Sequence, residues 1–370
     1  MNDPIFSLYD EFGPKSVIYI HEPKVGLRAI LVVDNVAAGP SIGGLRMAPD
    51  VSLEECARLA RAMTYKNAAA GLPHGGGKSV IFADPAMEEG AKEELIRAFA
   101  HAIEPVTDYI VGPDMGTNET AMAWILDEIG RSVGLPRELG GIPLDEIGAT
   151  GFGLTSAVEV ACDHTGLKLD GARVAIQGFG SVGKHAARFL TGKGAVVVAV
   201  ADSSGTIRKP GGFDVSQVIA FKNEGGHLAD FPDGEKLERE AVVAVECEIL
   251  VPAARPDVVR ADNQGTVKAG LVAPGANIGV TPEAERLLHD RSVLCLPDFI
   301  SNAGGVICAS VEYHGGSEAQ ALSVIDEKIR GNMREVLQRA AGSGLMPRRA
   351  AVAMAEERVR SAMALRRWSS

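Results

Sequence analysis

The sequence predicts an α/β protein of two domains, the first mixing strands and helices, the second built on regular alternation. Three observations carry this. The chain has 370 residues, more than the roughly 100–200 of one domain. From about Ala149 onward, short apolar β-branched runs alternate with amphipathic stretches, a rhythm that implies a parallel sheet covered on both faces. Before that point, strand and helix patterns mix around segments rich in glycine and bearing lysines.

Taken in order, Val17 to Ile20 and Leu27 to Val33 read as strands, being apolar and β-branched. Leu53 to Thr64 reads as a helix capped by Ser52 with Glu55 three residues on, and its end delivers Lys66. Ser79 to Ala83 is a strand, Glu89 to Ala102 a helix, Asp108 to Gly112 a strand that ends at Asp114, and Thr120 to Ile129 a helix. Gly134 to Pro143 is a turn-rich connection. The alternating region then gives a helix over Thr155 to His164, a strand over Arg173 to Gln177, a helix over Val182 to Thr191 and a strand over Ala195 to Ala201. A helix over Asp214 to Asn223 follows, with short strands at Ile249 to Val251, Val267, Leu271 to Ala273 and Val293 to Leu296. Pro282 to Asp290 is a helix with Thr281 as cap and proline in its first turn. Ser317 to Ala341 is long and helical.

Bulk properties exclude several classes. A formal charge of −11 argues against a general nucleic-acid surface. No apolar run approaches the roughly 18 residues needed to span a bilayer, and the start lacks a basic-then-apolar signal pattern, so a cytoplasmic enzyme is expected. Cys56, Cys162, Cys247, Cys295 and Cys308 are scattered and odd in number. That spacing suits neither a disulfide framework nor a zinc site, and the expectation is reduced, buried thiols and no metal.

The most specific local signal is Gly178-Phe179-Gly180-Ser181-Val182-Gly183. Alone, such a run is weak evidence. Here an apolar strand precedes it, a helix follows, and Asp202 ends the next strand about twenty residues on. The first glycine makes the tight turn, the second lets backbone approach a pyrophosphate, and the third lets helix pack on strand. The helix N-terminus then offers free N–H groups to phosphate. These features mark a Rossmann-type dinucleotide-binding domain. Asp202 would accept hydrogen bonds from ribose hydroxyls and repel a 2′-phosphate, which favours NAD. Ser203, Ser204, Arg208 and Lys209 follow closely and keep NADP as the alternative.

Two lysines define a second candidate site. Lys78 closes the run Gly71-Leu72-Pro73-His74-Gly75-Gly76-Gly77-Lys78, and Lys66 stands twelve residues earlier. An isolated lysine is usually a solvated charge, but the glycine and apolar residues around these two make a poor surface loop. A second lysine nearby and burial both disfavour the charged form, so one lysine can act as a base. Asp114, alone a common turn-former, adds a carboxylate. Such a set suits an anionic substrate and proton transfer.

Together the blocks Gly43-Gly44-Leu45-Arg46, Tyr65-Lys66-Asn67, Gly75-Gly76-Gly77-Lys78, Pro113-Asp114-Met115-Gly116-Thr117-Asn118, Gly178 to Gly183, Gly275-Ala276-Asn277 and Asn302-Ala303-Gly304-Gly305-Val306 resemble the glutamate/leucine/phenylalanine/valine dehydrogenase family, in that family's order. The resemblance implies oxidative deamination of an L-amino acid to a 2-oxo acid and ammonia with a nicotinamide cofactor, in a cleft between two domains of a homo-oligomer. It implies that Lys78 is the catalytic base and that Asp114 exchanges protons with the amino group. Lys66 matches the residue that pairs with the substrate α-carboxylate, and Gly43 and Gly44 match a backbone turn beside the substrate. Asn302 matches a position near nicotinamide and substrate. Thr150 and Asn277 match cofactor contacts. Residues 1–145 are then the substrate domain, with the C-terminal helices of 340–370 able to rejoin it, and 146–339 the nucleotide domain. Residues 1–35 are candidates for subunit contacts.

Glutamate-specific members carry a lysine immediately before the two glycines and a serine seven residues after the asparagine of the Asn-Ala-Gly-Gly block. Here those positions are Ile42 and Ala309. A pocket they line would strand a distal carboxylate at a cost of several kcal/mol and reward an apolar side chain by roughly 0.8 kcal/mol per methylene. The Tyr65-Lys66-Asn67, Asp114-Met115-Gly116 and Asp202-Ser203-Ser204-Gly205 segments look more like the glutamate branch. His74, read as a neighbour of the site, and Glu119, Tyr313 and His314 remain as sources of polar contacts. The expectation is a non-glutamate substrate, with glutamate dehydrogenase as the alternative. A catalytically silent nucleotide-binding sensor is the rival of another class; retention of Lys66, Lys78 and Asp114 speaks against it.

Overall fold

The computed structural model describes residues 8–367. Residues 1–7, part of the stretch expected to make subunit contacts, and 368–370, the end of the segment expected to rejoin the first domain, lie outside the described residues. The chain forms two compact units. One runs to Pro143 and takes in Val306–Ala321 and the chain from Val352; the other comprises Leu144–Gly305 and Leu322–Ala351.

In the first unit, β1 (Ser16–Glu22), β2 (Leu27–Asn35), β3 (Ser41–Ala48), β4 (Gly75–Phe82) and β5 (Tyr109–Pro113) form a sheet in the order β1-β2-β4-β3-β5. The β1–β2 and β2–β4 pairs are antiparallel, and β3 lies parallel to both β4 and β5. Helix α1 (Leu53–Ala69) starts where expected, with Ser52 accepting from the Glu55 amide. It packs one face of the sheet, where Cys56 and Ala60 meet Ile30, Val32 and Val80. On the other face α2 (Glu89–Ala102) and α3 (Glu119–Ile129) bury Phe99, Met122 and Ile125 against Leu31, Leu45 and Met47.

Two expectations need correction here. Gly43 and Gly44 do not form a turn; they lie inside β3. The Gly75–Gly77 run and Lys78 are likewise strand residues of β4 rather than a loop. Glycine is a weak strand former, and close approach explains its presence. A Cβ on Gly43 would stand 1.7 Å from the Gly77 carbonyl oxygen, and one on Gly76 would stand 2.0 Å from the Thr64 amide of α1.

The second unit begins with α4 (Leu144–Ile147) and α5 (Ala149–Thr165). Strand β6 (Arg173–Gln177) leads into α6 (Ser181–Gly192), followed by β7 (Val196–Ala201), β8 (Thr206–Arg208), α7 (Val215–Asn223), β9 (Glu235–Leu237) and β10 (Ile249–Pro252). Then come β11 (Leu271–Val272), α8 (Pro282–Asp290), β12 (Leu294–Cys295) and α9 (Asp298–Ser301). The sheet order is β12-β11-β10-β6-β7-β8-β9. Strands β12 through β7 are parallel, and apolar throughout β7, as burial on both faces requires. The all-parallel expectation fails at one edge, where the short β8 and β9 run antiparallel. Val267 is not a strand either; it closes the single turn Gln264–Thr266. Strand order reverses at β6, with β7 on one side and β10 on the other, which is where doubly wound folds bind ligands.

The chain closes with α10 (Gly304–Tyr313), α11 (Glu318–Ser343) and α12 (Pro347–Ala364). The segment Val306–Ala321 clusters with the first unit, whereas the sequence had grouped it with the nucleotide domain. The physical reason is a carboxylate. Glu312 accepts from the backbone amides of Gly134 and Leu135 (2.7 and 3.2 Å) and of Ile142 (2.7 Å), tying down the turn-rich connection. Helix α12 returns as well, with the Arg358 guanidinium donating to the carbonyls of Ala68 and Ala69 at the end of α1.

Candidate active site

Alternation along β3 organises the site. Leu45 and Met47 point into the core under α2 and α3, so Ile42, Gly44 and Arg46 point to the opposite face. Lys78 on β4 faces the same side, as Val80 does two residues on. Asp114 follows the end of β5 and is held by Thr117, whose hydroxyl accepts from the Asp114 amide at 3.0 Å and donates to the Leu45 carbonyl at 2.8 Å.

The outcome is a compact charged cluster. Lys78 Nζ donates to Asp114 Oδ2 at 2.5 Å, and Arg46 Nε donates to the same oxygen at 3.0 Å. Arg46 Nη1 also reaches Glu55 Oε1 at 2.5 Å. Lys78 is only 6% exposed. Burial pushes its pKa below the ordinary lysine value, against the opposing pull of the Asp114 charge. Burial would raise Asp114, but the Lys78 and Arg46 charges overcome that and hold it below the usual carboxylate value. A Cβ on Gly44 would stand 2.8 Å from Asp114 Cβ and 3.0 Å from Lys78 Nζ. Glycine there leaves open the space directly in front of both groups.

Lys66 lies in the last turn of α1 and is half-buried. Its neighbour Asn67 donates to the Gly75 carbonyl at 2.7 Å, so this turn of the helix is pinned to the start of β4. Ile42 and Ala309 are brought together, in one buried cluster with Ile110 and Val133. Sequence reasoning did not find Arg46, Ile110, Val133 or Glu312. Arg46 was visible within its motif, but its role depends on a strand that the glycines concealed. The others act through contacts far apart in sequence.

In the second unit the glycine motif joins β6 to α6. Gly178 has φ +93°, where a Cβ would press on Ala254. A Cβ on Gly183 would stand 1.8 Å from the Gly178 carbonyl oxygen, so only glycine lets the helix start approach the turn this closely. A Cβ on Gly180 would meet nothing within 4 Å, and as N-cap of α6 it supplies no side-chain cap. The first amides of α6 are therefore presented to an open face, suited to a pyrophosphate. Phe179 is buried, and Val182 lies where a Cβ on Gly275 would collide with it. The Ser181 hydroxyl is taken by Asp145 at 2.9 Å.

Thr150, in the first turn of α5, abuts Gly304 and Gly305. Asn302 Nδ2 donates to Asn277 Oδ1 at 2.8 Å, while the buried Asn302 Oδ1 has no partner among the described residues. An orphaned acceptor of this kind fits a carboxamide-bearing cofactor or an amine. Asp202 departs from expectation. Its Oδ1 already accepts from the Ser204 amide and hydroxyl (2.8 and 2.5 Å), and its Oδ2 from Lys222 Nζ and the Leu228 amide (2.6 and 3.1 Å). Although burial opposes it, these donors hold its pKa at about 2. A ribose would have to compete for this carboxylate, and Lys222 offsets the charge that was expected to repel a 2′-phosphate.

Comparison with known proteins decides the family. Residues 14–131 match "Glu/Leu/Phe/Val dehydrogenase, dimerisation domain", and residues 140–367 match "Glutamate/Leucine/Phenylalanine/Valine dehydrogenase". The chain belongs to the glutamate/leucine/phenylalanine/valine dehydrogenase family. It is 38% identical to a glutamate dehydrogenase of Thermotoga maritima, over 89% of this chain and 83% of the relative. It is 36% identical to an NADP(+)-dependent glutamate dehydrogenase of Pyrobaculum calidifontis, over 91% and 86%. Among solved structures it is similar to the hetero-hexameric glutamate dehydrogenase of Thermus thermophilus in a leucine-bound form, with a TM-score of 0.83, 32% identity, and coverage of 95% and 90%. As a member of this dehydrogenase family it is an oxidoreductase acting on the CH–NH2 group of an amino acid with NAD or NADP as acceptor. The two-domain α/β architecture is that of the family. No helix among the described residues is long and apolar enough to cross a membrane.

Proposed function

We propose that this amino-acid dehydrogenase deaminates L-amino acids whose side chains are apolar rather than glutamate. The observation that carries the proposal is the buried contact of Ile42 and Ala309 with Ile110 and Val133. A γ-carboxylate set among these four would lose its hydration with no cation supplied by them, at a cost of several kcal/mol. Glutamate is the second reading, favoured by the names of the relatives with 38% and 36% identity.

The roles follow from the charged cluster. Lys66, at the end of α1, pairs with the substrate α-carboxylate, and Gly43 and Gly44 leave its backbone room. Asp114 takes a proton from the substrate ammonium, giving the neutral amine. The Gly178–Gly183 turn, with Thr150, Asn277 and Asn302, would hold the dinucleotide, which would supply the hydride acceptor. Once hydride leaves Cα, the substrate is an iminium. Lys78, its charged form disfavoured by burial, removes a proton from the water that attacks Cα. Asp114 returns a proton to nitrogen and then receives the proton that Lys78 took from water. As the C–N bond breaks with ammonia as the leaving group, the neutral Lys78 accepts the carbinol hydroxyl proton and the 2-oxo acid remains. The 2.5 Å hydrogen bond between Lys78 and Asp114 lets the two exchange the proton that each step requires. The first unit is read as the substrate domain and the second as the nucleotide domain. The protein is read as an oligomer of identical copies in the cytoplasm, consistent with the dimerisation-domain description of residues 14–131. Ile42→Lys tests the pocket. It should raise kcat/KM for glutamate at least tenfold relative to leucine, and an unchanged ratio would remove Ile42 from the pocket.

A further inference from the structure

His74 opens the glycine run, and its imidazole has a fixed tautomer. Nδ1 lies 3.1 Å from the Pro40 carbonyl oxygen. A carbonyl oxygen only accepts, so Nδ1 carries the proton and Nε2 presents a lone pair. That Nε2 is buried and has no hydrogen-bond partner among the described residues, in a side chain only 1% exposed. A buried acceptor left unpaired is costly, so Nε2 is suited to receive a donor from a bound molecule or from water. Burial also keeps the ring neutral, with its pKa lowered to about 4.

The surroundings indicate what that donor is attached to. The His74 ring lies edge-on to Tyr313, with centroids 5.7 Å apart, and 5.3 Å from His314. Tyr313 and His314 lie at the end of α10, one turn beyond Ala309, and Pro40 stands two residues before Ile42. The two segments that build the apolar cluster thus also build this ring group. Tyr313 is 39% exposed despite its size, leaving an aromatic surface beside the orphaned nitrogen. Aromatic side chains favour edge-to-face and offset contacts with such rings.

We propose that His74 Nε2 accepts a hydrogen bond from the substrate side chain, so that the preferred amino acids carry an aromatic ring bearing one N–H or O–H, as in an indole or a phenol. This rests on the apolar pocket proposed above and narrows it. The ring body lies against the apolar cluster and Tyr313, and its donor meets His74. A short hydroxylated side chain would leave the Tyr313 ring uncovered, and an aliphatic one would leave Nε2 unpaired.

The test uses matched substrates with the intact protein. Oxidative deamination is measured for tryptophan against its benzothienyl analogue, in which sulfur replaces N–H, and for tyrosine against phenylalanine. The donor-bearing member of each pair should be favoured in kcat/KM by about tenfold or more. The preference should fall toward one in His74→Phe, which keeps a ring and removes the acceptor. Equal kcat/KM within both wild-type pairs would overturn the proposal, since water would then serve Nε2 equally well. So would a preference that survives in His74→Phe. Glutamate outrunning all four would instead show that the apolar pocket itself is wrong, whereas aromatic substrates beating glutamate without discrimination within the pairs would remove only the role of His74.

Discussion

Replacing Asp114 by asparagine separates the charge of the carboxylate from its shape. Asp114 Oδ2 lies 2.5 Å from Lys78 Nζ, and its charge raises the pKa of a lysine that burial lowers. Two unit charges at that distance interact by about 1.7 kcal/mol at the dielectric constant of water and about 6.6 kcal/mol at an effective value of 20. At 1.36 kcal/mol per pH unit, even the weaker limit lowers the Lys78 pKa by about one unit when the carboxylate is lost. Arg46, left with Glu55 as its carboxylate partner, acts in the same direction. In Asp114→Asn the alkaline-rising limb of the kcat profile should therefore move to lower pH by at least about one unit. The maximal rate should fall about 10²- to 10⁴-fold, because proton exchange at the substrate nitrogen is gone. The assay is reduced-cofactor formation under saturating substrate across neutral to alkaline pH, for the wild type and the variant. A limb that stays in place, or moves upward, would refute the assignment of Lys78 as the titrating base. The linkage at low pH has the opposite origin. The depressed Asp114 pKa contributes stability that is present above the ordinary carboxylate value of 3.8 and is lost as pH falls through the folded-state value.

Three further outcomes follow from the same contacts. Lys78→Ala should lower kcat by about 10²-fold or more at every pH tested, and near-normal turnover would exclude Lys78 as the base. Gly44→Ala places a methyl group 2.8 Å from Asp114 Cβ, 2.9 Å from the Pro113 carbonyl oxygen and 3.0 Å from Lys78 Nζ; the thermal midpoint should drop and activity, measured on the folded fraction, should fall as well, and full activity in that fraction would mean that Gly44 serves folding alone. In the second unit, Arg348 donates to Glu285 at 2.6 Å and to Asp298 at 2.8 Å, both buried carboxylates. Arg348→Met should cost about 3–5 kcal/mol in denaturant unfolding by stranding them, and a change below about 1 kcal/mol would show that water or a neighbour replaces the guanidinium.

The legible parts of the fold are those where local chemistry and tertiary context agree. Arg173–Gln177 and Pro282–Asp290 appear with the expected bounds, because an apolar β-branched run and a Thr281-Pro282 start are sufficient local signals. The glycine turn at 178–183 was readable because Gly178 takes a positive φ and Gly183 permits a close approach, while Gly180 faces open space. Strand β3 was not readable. Gly43 and Gly44 carry low strand propensity, and parallel pairing to β4 and β5 holds them in place. Losing β3 also hid the alternation that turns Arg46 toward Asp114. Ile42 and Ala309 could be named from sequence, but their contact with Ile110 and Val133 depends on the return of α10 to the first unit. Asp202 could be placed at a strand end, yet its engagement by Lys222 and Leu228, about twenty residues away and more, is a tertiary fact.

An apolar pocket, on the scaffold of an amino-acid dehydrogenase, is proposed to set the substrate. The most direct measurement is kcat/KM of the wild-type protein for oxidative deamination of leucine, phenylalanine and glutamate, each with NAD and with NADP. Turnover of leucine or phenylalanine with glutamate at least tenfold poorer is the predicted result for either cofactor. Glutamate as the best substrate would contradict it and would require a cation, outside the Ile42–Ala309 cluster, that holds the distal carboxylate.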